Sequence, residues 1–350
     1  VFLAWLRSAM RWRWLLQQGF GGIRRIPGAA ARVIDVAPGA DLSTYPDGRC
    51  RLGLSTACLT ALFTSQAPML IFRGALPAAR CQHAAAHLER VALAGDNGTE
   101  SAQHFAAWHL GADPEAPAAD YTKLGYTKTD VLMGGVRMAA GRPAPEKYLD
   151  LAEETADFLH KQVFAPYGCP MNEIWEELDS LDGITCRRER CPGTNRPFLP
   201  YVVRCMVPGG RRAAGNVHMD TLVPGRTFSV NLYLRVPDGD QETGGEVILY
   251  PVKKDALSRV LNGHFFETVD IQNFFPDRDF YTQELLDSEG MEPLVYKPAA
   301  GDVIFLDPAY PHAVRDFQSP SGRHRISCQT FVQLRPPASG QRGQILEYAV

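Results

Sequence analysis

From about residue 200 the apolar residues of this chain recur at every second position, and that change of period constrains the fold more than any other feature. TFSVNLYLRV (227–236) sets Phe228, Val230, Leu232 and Leu234 on one side and Ser229, Asn231 and Tyr233 on the other, the alternation expected of a strand. GGEVILYP (244–251) follows a Gly-Gly turn, and LVYKPAAGDVIFLDP (294–308) reads as two strands around the turn Pro298–Asp302. RISCQTFVQL (325–334) puts Arg325, Ser327 and Gln329 on one side. Upstream the period is helical. APMLIFRGALP (67–77) is expected as a short strand ending in Gly74. AARCQHAAAHLERVAL, PEKYLDLAEETADFLHKQVF (145–164) and MNEIWEELDSL (171–181) are expected as helices, the second on a stripe of Leu149, Ala152, Ala156, Leu159 and Val163. Helices followed by about six to eight short strands predict a mainly-β barrel or sandwich backed by helices.

Bulk properties narrow the function classes. A net charge of −3 over 350 residues gives no electrostatic footprint for nucleic acid. No apolar run approaches the roughly 18 residues of a membrane span. Eight dispersed cysteines without a CxxC pair read as reduced structural thiols, which favours an intracellular setting, cytoplasmic or organellar. The first 34 residues carry six arginines and no acid up to Val33, interleaved with Trp5, Trp12 and Trp14. That composition fits an organelle transit peptide or an interfacial helix, and equally a plain N-terminal extension. Residues 35–65 read as linker, 96–146 as irregular with the local echo YTKLGYTK, and 338–350 as a tail. The expected division is an extension over 1–65, one domain over 66–337 and an insert at 252–293, within which VKKDALSRVL has helical character. His264, Phe265, Phe266, Phe274 and Phe275 make that insert aromatic, either as a lid or as ordinary packing. His83, His87, His104, His109 and His160 are read as structural.

The chemistry gathers around GNVHMDTL (215–222). His218 and Asp220 are two apart in a strand-like stretch, so both side chains leave on the same side. Taken alone they are a surface or capping pair, or two arms of a metal site. His312, in DPAYPHAV after a strand, is the candidate third ligand. Two imidazoles and one carboxylate leave an octahedral ion with three open positions, which suits Fe(II) oxygen chemistry. Arg325 and Ser327 share a strand face 13 residues beyond His312. A guanidinium facing a barrel interior without an acid beside it is suited to a ligand carboxylate. The combination calls for a small dianion that chelates iron at one end and carries a carboxylate at the other, which 2-oxoglutarate satisfies.

HMD, then His312, then RIS resembles the HxD…H…RxS signature of the Fe(II)/2-oxoglutarate-dependent oxygenases, with a prolyl-4-hydroxylase-like core. RCMVPGG before HxD, the Gly-Gly-Glu strand, the Pro-x-x-Gly-Asp turn and Phe331 extend it, closely over 200–335 and loosely over 66–337. The resemblance implies an α+β, mainly-β fold: a double-stranded β-helix (jelly-roll) core with N-terminal supporting helices. It implies His218, Asp220 and His312 as iron ligands, Arg325 as anchor of 2-oxoglutarate and Ser327 as its helper. O2 is the co-substrate and ascorbate an accessory candidate. Many members carry Tyr where this chain has Cys205, and Asn231 or Tyr233 are the candidates to replace that contact. Asp220 favours hydroxylation over halogenation. The implied reaction is hydroxylation of an unactivated C–H of a small polar metabolite or amino acid, releasing succinate and CO2. Hydroxylation of a protein side chain such as proline is the alternative substrate class, and a cupin-like metal barrel without 2-oxoglutarate, or a purely structural barrel, are the alternative fold readings. Arg323 shares the parity of Arg325 and competes as anchor; Ser327, Asn231 and Tyr233 also have readings as plain strand residues.

Overall fold

The computed structural model describes residues 34–36, 49–64, 66–89, 105–108, 121–124, 148–165, 167–206, 208, 217, 227–236, 238, 240–251, 292–315, 317–335 and 343–349. In chain order these contain β1 (Ile34–Val36), α1 (Thr56–Phe63), β2 (Met69–Phe72), α2 (Ala78–Leu88), β3 (Phe105–Trp108) and β4 (Tyr121–Leu124). Next come α3 (Tyr148–Phe158), which runs into a π-helical turn at Leu159–Val163, then α4 (Pro170–Asp179), β5 (Ile184–Arg188) and β6 (Val202–Met206). The remaining strands are β7 (Thr227–Arg235), β8 (Val247–Leu249), β9 (Leu294–Tyr296), β10 (Val303–Leu306), β11 (His312–Val314), β12 (Arg325–Arg335) and β13 (Gln344–Ala349).

The strands form two sheets. The larger runs β1-β2-β10-β7-β12-β6-β4-β3, with β13 joining β12 to β5; the smaller is β11-β8-β9. The architecture is mainly β. Alternation along the large sheet sorts its side chains onto two faces. Phe228, Val230, Leu232, Val303, Phe305, Ile326 and Cys328 turn toward Leu59 of α1, Leu88 of α2 and Ile174 of α4, forming the principal core. Within it the Phe305 ring lies 5.0 Å from Phe72 and 5.1 Å from Phe228, centroid to centroid, an aromatic cluster that adds to the burial of area alone. The opposite face carries Met69, Ile71, Tyr233, Ile304 and Leu306, which pack on Val247, Leu249 and Tyr296 of the small sheet. Farther along, that same face meets α3 through Val202, Tyr148 and Ala152. No helix among the described residues is long and apolar enough to cross a membrane.

The expected helices and strands occur, with four corrections. Residues 35–65 are not simply linker: α1 starts on an N-cap at Ser55 and buries Leu59, Ala61 and Leu62. Ahead of it, α4 holds the chain by its acids, the Glu177 carboxylate accepting from the backbone N–H of Leu52 and of Leu54 at 2.7 Å each. Glu173 accepts from Cys50 N at 2.5 Å and from Arg80 Nη1 at 2.8 Å. The stretch 96–146 contributes β3 and β4, which pair with each other and extend the sheet from β6. The tail contains β13, antiparallel to β12 and parallel to β5. Finally, β9 and β10 do not form one hairpin. They belong to different sheets, and the Pro-x-x-Gly-Asp turn between them carries the chain across.

That turn is held from several sides. Buried Asp302 accepts from Tyr296 Oη at 2.5 Å, Ala299 N at 2.8 Å and Gly74 N at 2.8 Å. Gly301 has φ +95 and donates its N–H to Tyr233 O at 2.7 Å, while Leu76 N donates to Gly301 O at 2.9 Å. A β-carbon there would stand 2.2 Å from the carbonyl oxygen of Leu76. Only glycine fits both the dihedral and the approach.

Candidate active site

Four strands set the wall of the site. On β12, Arg325, Ser327 and Gln329 alternate onto the face opposite the helices, and all three are buried. Ser327 lies across from Tyr233 of β7 and Arg204 of β6, and Gln329 lies across from Asn231 and Val202. Arg325 faces Met206. On the small sheet, His312 pairs with Leu249, and directly opposed residues share a face. Since Leu249 packs toward the large sheet, the His312 ring faces the same interior as the β12 row.

The His312 ring is oriented. Its Nδ1 lies 2.8 Å from the carbonyl oxygen of Tyr310. A carbonyl only accepts, so Nδ1 is the donor in this contact.

Arg325 is 3 % exposed. Its Nη1 donates to Met206 Sδ at 3.2 Å, a weak acceptor, and its Cζ sits 4.9 Å from the centre of the Tyr233 ring. Its buried Nε has no hydrogen-bond partner. Burial pulls the guanidinium below the usual arginine range, the neighbouring Tyr233 opposes this, and the like charge of Arg204 adds to it. Burial likewise raises the Tyr233 phenol, with Arg325 opposing. A buried cation served by a thioether, a ring face and an unpartnered N–H is an incomplete electrostatic environment, and an ionised carboxylate completes it.

Asn231 and Ser229 follow on β7, the Asn231 Nδ2 donating to Ser229 Oγ at 3.3 Å. Of the two competing arginines, Arg323 is exposed on the turn before β12, its backbone N–H donating to Ser319 Oγ, whereas Arg325 is buried. Cys205 packs into the helix-side core. Of the two candidates for the missing tyrosine contact, Tyr233 has its ring under the Arg325 guanidinium and Asn231 lies one pairing further along β7. His218, Asp220 and the insert 252–291 lie outside the described residues, as do His104, His109 and most of the arginine-rich leader. Among the described residues no three His, Cys, Asp or Glu side chains converge as a metal cluster; of the candidate triad only His312 belongs to them. His83 Nε2 lies 3.0 Å from Ala165 O, and the His160 ring stacks on Tyr201. All eight cysteines are free thiols.

Sequence reading did not single out Arg204, Gln329 or the Tyr310 carbonyl. The first two were legible in principle from parity, since Arg204 alternates with Cys205 and Gln329 shares the side of Arg325. The carbonyl left no trace in residue type.

No family model matches the chain, and no curated protein matches it. Solved structures do. One is a novel N-substituted L-amino acid dioxygenase in complex with alpha-KG from Burkholderia ambifaria AMMD, at 14% identity and TM-score 0.43, covering 85% of this chain and 96% of that one. Another is an oxidoreductase of the 2OG-Fe(II) oxygenase family from Burkholderia pseudomallei, at 15% identity and TM-score 0.35, covering 86% and 94%. A third is a Pseudomonas putida prolyl-4-hydroxylase, at 15% identity and TM-score 0.32, covering 78% and 95%. The chain is thus similar to solved 2OG-Fe(II) oxygenases.

Proposed function

We propose that this chain is an Fe(II)- and 2-oxoglutarate-dependent oxygenase that hydroxylates an unactivated C–H of a small polar metabolite or amino acid. The observation that carries the reading is Arg325, a buried guanidinium with an unpartnered Nε, on the interior that His312 faces from the other sheet. In this reading the core is a double-stranded β-helix. Its domain takes in β1, which pairs with β2, and α1, which shares the principal core, and it runs to β13.

His312 offers Nε2 as a metal ligand, held by the Tyr310 carbonyl, with His218 and Asp220 as the other two ligands. The donor set suits Fe(II). When bound, iron and 2-oxoglutarate supply dioxygen chemistry that oxidises the substrate and releases succinate and CO2. The protein's own part is positional. Arg325 receives the distal carboxylate, Ser327 adds a hydroxyl, Tyr233 covers the guanidinium face, and Asn231 lines the same wall. Leu249, Leu306 and Ile304 keep the interior dry.

Anaerobic titration with Fe(II) and 2-oxoglutarate tests the reading through the visible charge-transfer band of the chelate. The native protein is expected to develop the band saturably, and His312→Ala to lose it. A cupin-like site would bind metal with no dependence on 2-oxoglutarate. An unchanged band in His312→Ala removes this histidine from the ligand set.

A further inference from the structure

We propose that Gln329 is a specificity-determining residue for the primary substrate, and that the substrate presents an N–H or O–H donor to its Oε1. The inference rests on the oxygenase reading above and names what that reading leaves open.

Gln329 is 7% exposed, and its buried Oε1 has no hydrogen-bond partner. Its neighbours do not supply one. Across β6 stands Val202, which has no polar side chain, and across β7 stands Asn231, whose Nδ2 donates one of its two N–H groups to Ser229 Oγ and none to Gln329 Oε1. The remaining polar atom of the Asn231 amide is a carbonyl oxygen, an acceptor like Oε1. Gln329 Oε1 is thus a buried acceptor that no group among the described residues meets, and it is suited to a donor.

2-Oxoglutarate is not that donor. As a dianion it presents carboxylate and ketone oxygens only, all acceptors. Its complement is the unpartnered Nε–H of Arg325, four residues away and about 13 Å along β12 at the ordinary strand rise. The two unsatisfied atoms on this strand are therefore of opposite kind and well separated. The arginine end takes the acceptor ligand, and the glutamine end takes a second ligand that donates. An α-amino or hydroxyl group on a small substrate has that chemistry, and a fully N-alkylated or purely apolar substrate lacks it.

The test uses Gln329→Met, which keeps the length of the side chain and removes both polar atoms. A residue held for a ligand, with no protein partner to lose, gives a variant whose melting temperature in the absence of ligand is equal to or above wild type. The midpoint of the anaerobic 2-oxoglutarate titration is expected to stay within about twofold of wild type. The probes for the donor are the common free amino acids and their N,N,N-trimethyl (betaine) counterparts, which carry no N–H, read by succinate release. Wild type is expected to prefer an unsubstituted amino acid over its trimethyl form by tenfold or more, and Gln329→Met to lose that preference. Several outcomes overturn the proposal: a clearly lowered melting temperature, a tenfold weaker 2-oxoglutarate midpoint, equal use of both forms by wild type, or no response to any probe. Failure of the underlying reading looks different, because the charge-transfer band would then be missing from wild type itself.

Discussion

Arg325→Ala is expected to weaken 2-oxoglutarate binding by roughly 100- to 1000-fold, which removes the charge-transfer band at any practical concentration. The estimate follows from the loss of a charge-assisted, two-pronged contact worth about 3–4 kcal/mol. Arg325→Lys keeps the charge but not the fork, so it is expected to retain part of the affinity. The ligand-free stability of these variants should move in the other direction. Among the described residues the buried guanidinium has Met206 Sδ, Tyr233 and the like charge of Arg204 around it, with Nε unpartnered. Replacing it by an apolar side chain of similar length, as in Arg325→Met, is therefore expected to hold or raise the melting temperature. Lower affinity with undiminished stability marks a residue kept for a ligand. Native affinity in Arg325→Ala would remove it from that role.

The second large effect is on folding. Gly301→Ala is expected to destabilise the protein by about 4 kcal/mol or more, lowering the melting temperature by roughly 10 °C. Two causes act together: φ at 301 is +95, and the new β-carbon would sit 2.2 Å from Leu76 O. Relief requires the turn to move, and the turn is tied to Tyr233 through Gly301 N and to β2 through Asp302 and Gly74. The damage should therefore reach the site, because Tyr233 is the residue over which Arg325 lies. Thermal unfolding and the 2-oxoglutarate titration, run on the same variant, check both halves. A melting temperature within a degree or two of wild type would mean that Leu76 does not cross the turn this closely.

How much of this was legible beforehand depends on where each element gets its stability. β7 and β12 were readable because each buries a row of apolar residues whose period of two shows in the sequence, and Asn231, Tyr233, Arg325 and Ser327 followed by parity. The Pro-x-x-Gly-Asp turn was readable from residue type, although its passage from one sheet to the other was not. α1 was missed because an eight-residue helix is marginal alone. It is held by packing of Leu59 and Leu62 and by the acids of α4 on the chain ahead of it, and a local pattern does not carry contacts more than a hundred residues away. β3, β4 and β13 were missed for a related reason: they join existing sheet edges through backbone pairing, which is nearly blind to side-chain identity. Gln329 was placed on the correct side yet passed over. An unpartnered carbonyl is a property of its surroundings, and no residue pattern announces it.

β12 is paired on both sides along much of its length, with β6 and β7 flanking Ser327 to Gln329 and β13 taking over from β6 toward Arg335. Its amides there should be among the slowest in the molecule to exchange with solvent, opening only when the whole sheet does. The backbone bearing Arg325, Ser327 and Gln329 has already lost its freedom when the chain folds, so a ligand arriving at this wall incurs little ordering cost from it. Discrimination along β12 is then a matter of match or mismatch against fixed groups, and a poorly matched molecule gains nothing by waiting for the strand to adjust.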